Sequence, residues 1–343
     1  MHKVAFIGTG IMGAPIAGHL MDAGYSLTVY NRTPQKAQPL VDRGAVLASS
    51  PAEAAAEADV VFTMVGYPED VEELYLAGDG LLTSTKPGCV LIDLTTSSPS
   101  LARDIAEAAQ VDGRFAFDCP VTGGEAGAIA GTLTAIVGAT ERDIESVRPL
   151  LETFCNRICC FGGAGKGQSA KLANQVALAS SMVGMADALS FAEQSGLDLE
   201  QTREMIMGGT GASGAMDTLA PNALSGDWKP GFMVKHFIKD IGLALQEAEE
   251  REIALPGADT AFTLYDMLDA IGGGSLGTQA ITLLYQEEAE AVAAGLDWSL
   301  YTAQHEHEEG CGCGHDHDHG DHECCHGEGH HHDGDHCCGH HGE

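Results

Sequence analysis

Residues 4–20 read VAFIGTGIMGAPIAGHL. An apolar run, Val4 to Ile7, stops at Gly8-Thr9-Gly10-Ile11-Met12-Gly13, and a helical pattern from Ile11 to Ala23 follows, closed by Gly24. Strand, glycine turn, helix is the context that gives the spacing Gly8-x-Gly10-x-x-Gly13 a physical meaning. Glycines permit the tight turn and let the backbone approach a pyrophosphate, whose charge the helix N-terminus favours. Outside that context the same spacing is an ordinary strand–helix turn.

The texture continues outward from this stretch. Strands are predicted at Ser26–Tyr30, Ala45–Leu47, Val60–Val65, Val90–Leu94, Phe115–Asp118, Leu133–Val137 and near Ile158. Helices fall between them at 34–43, 52–57, 71–76, 101–109 and from Glu141. Alternation of this kind argues an α/β fold with a mostly parallel sheet covered by helices on both faces. After about residue 164 strands cease. Ser169 to Ser195 is one long Ala/Met/Leu-rich helical pattern, and others recur at 200–207, 233–251, 257–271 and 278–294. The second domain is therefore all-α, its Met-bearing stripes serving as core and subunit interface. The resulting division is 1–164, 165–296 and a tail, 305–343.

The end of the second strand carries the cofactor choice. A site for the unphosphorylated dinucleotide usually places Asp or Glu there; this chain has Asn31-Arg32-Thr33. Arg32 can pair with a 2′-phosphate, with Asn31 and Thr33 adding hydrogen bonds, so NADP(H) is favoured over NAD(H). Val65 and Thr96 follow the ends of later strands, where ligands bind in open α/β sheets. The segment Asp118-Cys119-Pro120-Val121-Thr122-Gly123-Gly124 reads as a turn whose backbone amides can grip a carboxylate.

Residues 162–175, GGAGKGQSAKLANQ, supply the chemistry. Lys171 and Asn174 lie one turn apart on one helical face. A lysine there can deliver a proton to an oxygen that gains charge, and Asn174 can hold the lysine or the substrate. Alone, a lysine near a helix start is a solvated side chain. Lys239-Asp240, within HFIKDIGLALQEA, reads without context as a salt-bridged surface pair.

AFIGTGIMGAPIAGHL, NRT, DLTTSSP, DCPVTGG, GKGQSAKLANQ and HFIKDIGLA occur in that order across residues 1–295. Together they resemble the β-hydroxyacid dehydrogenase family, which includes 3-hydroxyisobutyrate dehydrogenase, tartronate semialdehyde reductase and glyoxylate/succinic semialdehyde reductase. The resemblance implies an N-terminal Rossmann-type doubly wound sheet and a helical C-terminal domain joined by a long helix. It implies an oxidoreductase that interconverts a small carboxylated aldehyde and its hydroxy acid. Lys171 would be the catalytic residue with Asn174 beside it. Thr122, Gly123 and Gly124 would anchor the substrate carboxylate, and Thr96 would lie near the nicotinamide. Lys239, with Asp240, would reach cofactor or substrate across the cleft. A homodimer or homotetramer built through the helical domain is implied as well. Two departures bear on the substrate: Thr122 replaces the family's usual Ser, and Gln175 stands where many members have a second Asn. Glyoxylate and the succinic, methylmalonate and tartronate semialdehydes all remain open.

The charge of −33 is shared between body and tail. So acidic a surface repels phosphate backbones, which excludes nucleic acid as an expected partner. No stretch reads as long and apolar enough for a bilayer, and MHKVAFIGTG lacks a signal peptide's apolar core; no membrane association and a cytoplasmic location are the expectations. Five cysteines lie in the body, where Cys159 and Cys160 read as inert buried thiols.

Residues 305–343 contain only His, Cys, Gly, Asp and Glu. With no apolar side chain to offset the entropy of ordering, this tail is expected to be disordered without a ligand. Its thiols and imidazoles suit zinc, nickel or copper ions: Cys311, Cys313, His315, His317, His319, His322, Cys324, Cys325, His326, His330, His331, His332, His336, Cys337, Cys338, His340 and His341. The spacings match no zinc finger, so a flexible chelator with several sites is expected. This composition carries the rival reading, a metal-handling protein on a dehydrogenase scaffold.

Overall fold

The computed structural model describes residues 2–300. Strand β1 (Lys3–Ile7) sends Val4 and Phe6 into one core, with Ile16, Leu20 and Phe62, and Ala5 and Ile7 into another, with Val61, Leu91 and Tyr75. A central strand buries both faces, which is why this run is apolar without alternation. It pairs with β2 (Ser26–Tyr30) and β4 (Val60–Thr63), and the sheet is completed by β3 (Val46–Leu47), β5 (Val90–Asp93) and β6 (Phe115–Asp118). The order is β3-β2-β1-β4-β5-β6 with every pairing parallel, so the winding reverses between β1 and β4. Ile7 lies opposite both Tyr30 and Thr63, Thr63 opposite Asp93, and Asp93 opposite Asp118. Because these ends are level, the loops after five strands leave along one edge, outside the carboxyl ends where open sheets bind ligands.

A second sheet was not foreseen. β7 (Val121–Thr122), β8 (Leu133–Val137) and β9 (Cys155–Cys160) form it, with β7 antiparallel and β9 parallel to β8. The segment expected to be a plain turn after Asp118 therefore contains a strand. Pro120 has no N–H for the main ladder; its carbonyl instead accepts from Ile136 N, and the chain crosses to β8. β9 is an edge strand, so Cys159 and Cys160 are half-buried rather than buried. Cys89, Cys119 and Cys155 are buried, and burial pushes Cys155 up to about 12 and Cys89 to about 11.

Other boundaries shift for local reasons. The first helix begins at Gly13, not Ile11, because Gly10–Met12 form the turn. The helix expected from Glu141 is confined to Arg148–Leu151, since Pro149 can open a helix but not continue one. The 278–294 pattern divides into a 3-10 helix, Thr278–Tyr285, and a helix, Glu288–Ala293.

The long helix Lys166–Gln194 organises the rest, packed by helices Val234–Glu250 and Pro256–Ala270. Met182, Met185 and Leu189 meet Phe237, Ile241, Tyr265 and Leu268 in one core, as the Met stripe suggested. On length and composition Lys166–Gln194 would suffice to cross a membrane, contrary to the expectation that no stretch approaches that size. Its buried residues include Gln168, Lys171 and Gln175, polar groups enclosed by protein. Residues 305–343, including every candidate metal ligand from Cys311 to His341, lie outside the described residues.

Candidate active site

The glycine turn has two jobs, divided among its glycines. Gly8 has φ +98, and a Cβ there would stand 2.1 Å from Met64 O; one on Gly13 would stand 1.9 Å from Gly8 O. Those two glycines let β1, β4 and the first helix pack. A Cβ on Gly10 would meet nothing within 4 Å, so its absence serves close approach from outside. Among the described residues the amides of Ile11 and Met12 have no acceptor, and the N-cap, Met12, offers no side-chain cap. Unpaired amides at a helix N-terminus beside an open backbone suit a pyrophosphate. Ile11 is exposed and Thr9 buried, with Thr9 N donating to Asn31 Oδ1 at 2.9 Å.

That bond changes the part of Asn31. Its Nδ2 also donates to Thr33 O at 2.9 Å, so its carboxamide ties the ends of β1 and β2 together instead of pointing outward. Arg32 and Thr33 are left exposed as the outward polar groups. The Arg32 side chain is 87% exposed and meets Asp70 at 3.3 Å. An exposed pair of this kind contributes at most about 1 kcal/mol, so Asp70 would yield the guanidinium to another anion at little cost. Together the turn and Arg32 suit a phosphorylated dinucleotide.

Beyond the switch point the loops are cross-linked. Val65 N donates to Thr95 Oγ1 at 3.0 Å, and Thr95 N to Asp93 Oδ1 at 3.1 Å. Asp93 is buried, which raises its carboxyl to about 6 although Thr95 and Thr63 stabilise the charge by hydrogen bonds. Tyr75 hydroxyl completes the chain by donating to Thr63 Oγ1 at 2.9 Å.

Lys171 is 7% exposed. Burial holds its ammonium below the usual lysine range; Asp240 opposes that shift and Lys239 adds to it. No hydrogen bond to Nζ is found among the described residues. Asp240, 2% exposed, accepts from Gln175 Nε2 at 2.7 Å and pairs with Lys239 at 3.0 Å. Lys239 Nζ also donates to Thr96 O, joining the helix Val234–Glu250 to the loop after β5. Lys239 and Asp240 are therefore an enclosed pair, tied through Lys239 to the loop after β5, not a surface pair. Asn174 is exposed, and its Nδ2 donates to Gln175 Oε1 at 2.9 Å, not to Lys171.

Among the described residues no hydrogen bond or ion pair joins Thr122, Gly123 or Gly124 to Lys171. They lead from β7 into the short helix Gly124–Ala130. Gly123 has φ +129, which favours glycine, and a Cβ there would also crowd a Leu133 methyl group at 3.0 Å. The link to Lys171 runs through Asp118, at the end of β6. Its carboxylate accepts from Gly165 N at 2.8 Å and Gln168 N at 2.7 Å, capping the helix that carries Lys171. Gly138 and Gly167 make room for it, since a Cβ on either would lie within 2.7 Å of its oxygens.

Gln175, Gln168 and Asp118 were missing from the sequence-derived site. A signal existed for the two glutamines: they lie four residues after and three before Lys171, on its own helical face. For Asp118 only its place at a strand end was informative. Among the described residues no cluster of three or more His, Cys, Asp or Glu side chains is arranged to hold a metal ion.

Comparison with known proteins identifies the family. Residues 3–163 match the NAD-binding domain of 6-phosphogluconate dehydrogenase, and residues 165–285 match the NAD-binding domain of NADP-dependent 3-hydroxyisobutyrate dehydrogenase. A probable mitochondrial 3-hydroxyisobutyrate dehydrogenase-like 1 of Arabidopsis thaliana is 45% identical over 282 residues, 82% of this chain and 84% of that protein. The solved Mycobacterium tuberculosis 3-hydroxyisobutyrate dehydrogenase with L-serine has a TM-score of 0.77 at 33% identity, covering 84% of this chain and all of that one. Psf3 in complex with NADP+ and 2-OPP has the same TM-score at 31% identity, over 82% of this chain and 100% of its own. A parallel sheet with its glycine turn at the switch point, a helical half bearing a buried lysine, and these matches across both halves place the chain in the β-hydroxyacid dehydrogenase family, nicotinamide-dependent oxidoreductases of small hydroxy acids.

Proposed function

We propose that the protein reduces a small carboxylated aldehyde, a semialdehyde or glyoxylate, with NADPH and forms the hydroxy acid in reverse of its oxidation. The observation that carries this reading is Lys171: buried, unpartnered at Nζ, and electrostatically coupled to Asp240 and Lys239 at the carboxyl edge of the sheet. The nicotinamide, when bound, supplies the hydride. Lys171 delivers a proton to the carbonyl oxygen as charge develops there. Asn174 contacts the substrate from the exposed side of the same turn. Thr122, Gly123 and Gly124 hold the carboxylate, the added methyl of Thr122 narrowing that end of the pocket. The amides from Gly10 to Gly13 take the pyrophosphate, and Arg32 and Thr33 take the 2′-phosphate. Thr96, Val65, Lys239 and Asp240 frame the nicotinamide end. The two segments 1–164 and 165–296 act as cofactor and substrate domains of a cytoplasmic homodimer or homotetramer. Purified protein given glyoxylate and the succinic, methylmalonate and tartronate semialdehydes should oxidise NADPH with one of them in clear preference. Absence of turnover with all four would remove the semialdehyde reading.

The tail supports a separable activity. Thirteen histidines and six cysteines within residues 305–343 form a chelating composition for zinc, nickel or copper. Deleting those residues is expected to leave turnover within about twofold while abolishing metal retention, because a segment of only His, Cys, Gly, Asp and Glu has no apolar side chain to contribute to a folded core. A body inactive toward every semialdehyde would instead favour the metal-handling reading.

A further inference from the structure

Gln168 has no assigned part in the chemistry, yet both ends of its side-chain amide are engaged. It is 0% exposed. Its Nε2 donates to Thr95 O at 2.8 Å and its Oε1 accepts from Ser97 N at 3.0 Å. The two bonds bracket Thr96, whose own carbonyl accepts from Lys239. The backbone of residue 168 is held in turn, its N–H donating to Asp118. Thus one glutamine joins the loop after β5 to the helix Lys166–Gln194, one turn before Lys171, with β6 fixing the start of that helix.

A glutamine amide is suited to this because it presents one acceptor and a donor side by side, matching an N–H and a C=O two residues apart. We propose that Gln168 is a positioning residue: its side-chain amide sets the Thr96 loop against the turn that carries Lys171, so that proton donor and nicotinamide end are held in one geometry. The proposal rests on the reading of Lys171 as proton donor. Misplacement at this point is expensive, since shifts of about 1 Å in reacting groups can cost on the order of 100-fold in rate.

The test uses Gln168→Ala and Gln168→Glu in the full-length protein, with kcat and KM measured separately from about pH 5 to 9. In Gln168→Ala kcat should fall on the order of 10- to 100-fold while the NADPH KM stays within about twofold. In Gln168→Glu the ionised carboxylate faces Thr95 O with no proton to donate, whereas the protonated acid restores one donor and one acceptor. Burial and the neighbouring Asp118 carboxylate raise the pKa of a glutamate at this position, against the opposite pull of Lys239 and Lys171. The kcat of Gln168→Glu relative to wild type should therefore rise as pH falls, and that of Gln168→Ala should not. A pH-independent ratio for Gln168→Glu overturns the proposal, as does a near-normal kcat in Gln168→Ala. Failure of Gln168→Glu to fold at every pH makes the residue merely structural and overturns it too. Lys171→Ala, run alongside, separates the two ideas: if it is inactive and the glutamate ratio is flat, only the positioning role is lost.

Discussion

Replacing Lys171 with alanine is expected to lower aldehyde reduction by roughly 10²- to 10⁴-fold, the range for loss of a positioned general acid. The affinity for NADPH should change little, because the glycine turn and Arg32 lie on the sheet, away from this helix. The argument is electrostatic. A lysine that is 7% exposed, with its ammonium held below the ordinary range chiefly by burial, parts with its proton more readily than a solvated one. The pH dependence has a definite sign. Reduction needs the ammonium form, so its rate should fall as pH rises through the lowered lysine pKa. Oxidation of the hydroxy acid needs the free amine, so its rate should rise through the same pKa. Lys171→Arg keeps the charge but cannot release a proton in the accessible range. It should therefore be as slow as Lys171→Ala in oxidation. Steady-state rates in both directions across pH check this, and a near-normal alanine variant would sink the assignment.

Replacing Arg32 with alanine should raise the NADPH KM on the order of 10- to 100-fold, the equivalent of one or two charge-assisted hydrogen bonds. NADH, which lacks the 2′-phosphate, should be affected by no more than a few-fold. The structure sharpens this expectation because Asn31 is occupied internally by Thr9 and Thr33, leaving Arg32 as the charged group at that strand end. Its contact with Asp70 is exposed and is surrendered cheaply. Parallel KM determinations with the two cofactors decide the matter: equal losses for both would remove the case for 2′-phosphate recognition.

Much of the site is legible in the chain because its signals are local. Gly8, Gly10 and Gly13 follow an apolar run and open a helix, and the structure puts a tight turn there. Lys171 sits three residues before Asn174 on a helix whose pattern announces itself. Other parts are not legible where local pattern is silent. Lys239 and Asp240 look like a surface pair on an otherwise apolar helix, and nothing in their neighbours shows that Thr96, 143 residues earlier, closes over them. Cys159 and Cys160 look buried because apolar residues flank them, and edge position in a three-stranded sheet is not a property of the neighbours.

Strand and helix periods, glycine turns and the order of motifs sufficed to establish an α/β half followed by an all-α half, and the family to which they belong. These features are written in residues a few positions apart, where side-chain direction and backbone freedom act directly. Which polar groups meet was settled by packing. Gln168 reaches Thr95 and Ser97 across 73 and 71 residues, and Gln175 reaches Asp240 across 65. Such distances follow from how one helix lies on the carboxyl edge of a sheet, a sum over many apolar contacts that no short stretch of sequence contains.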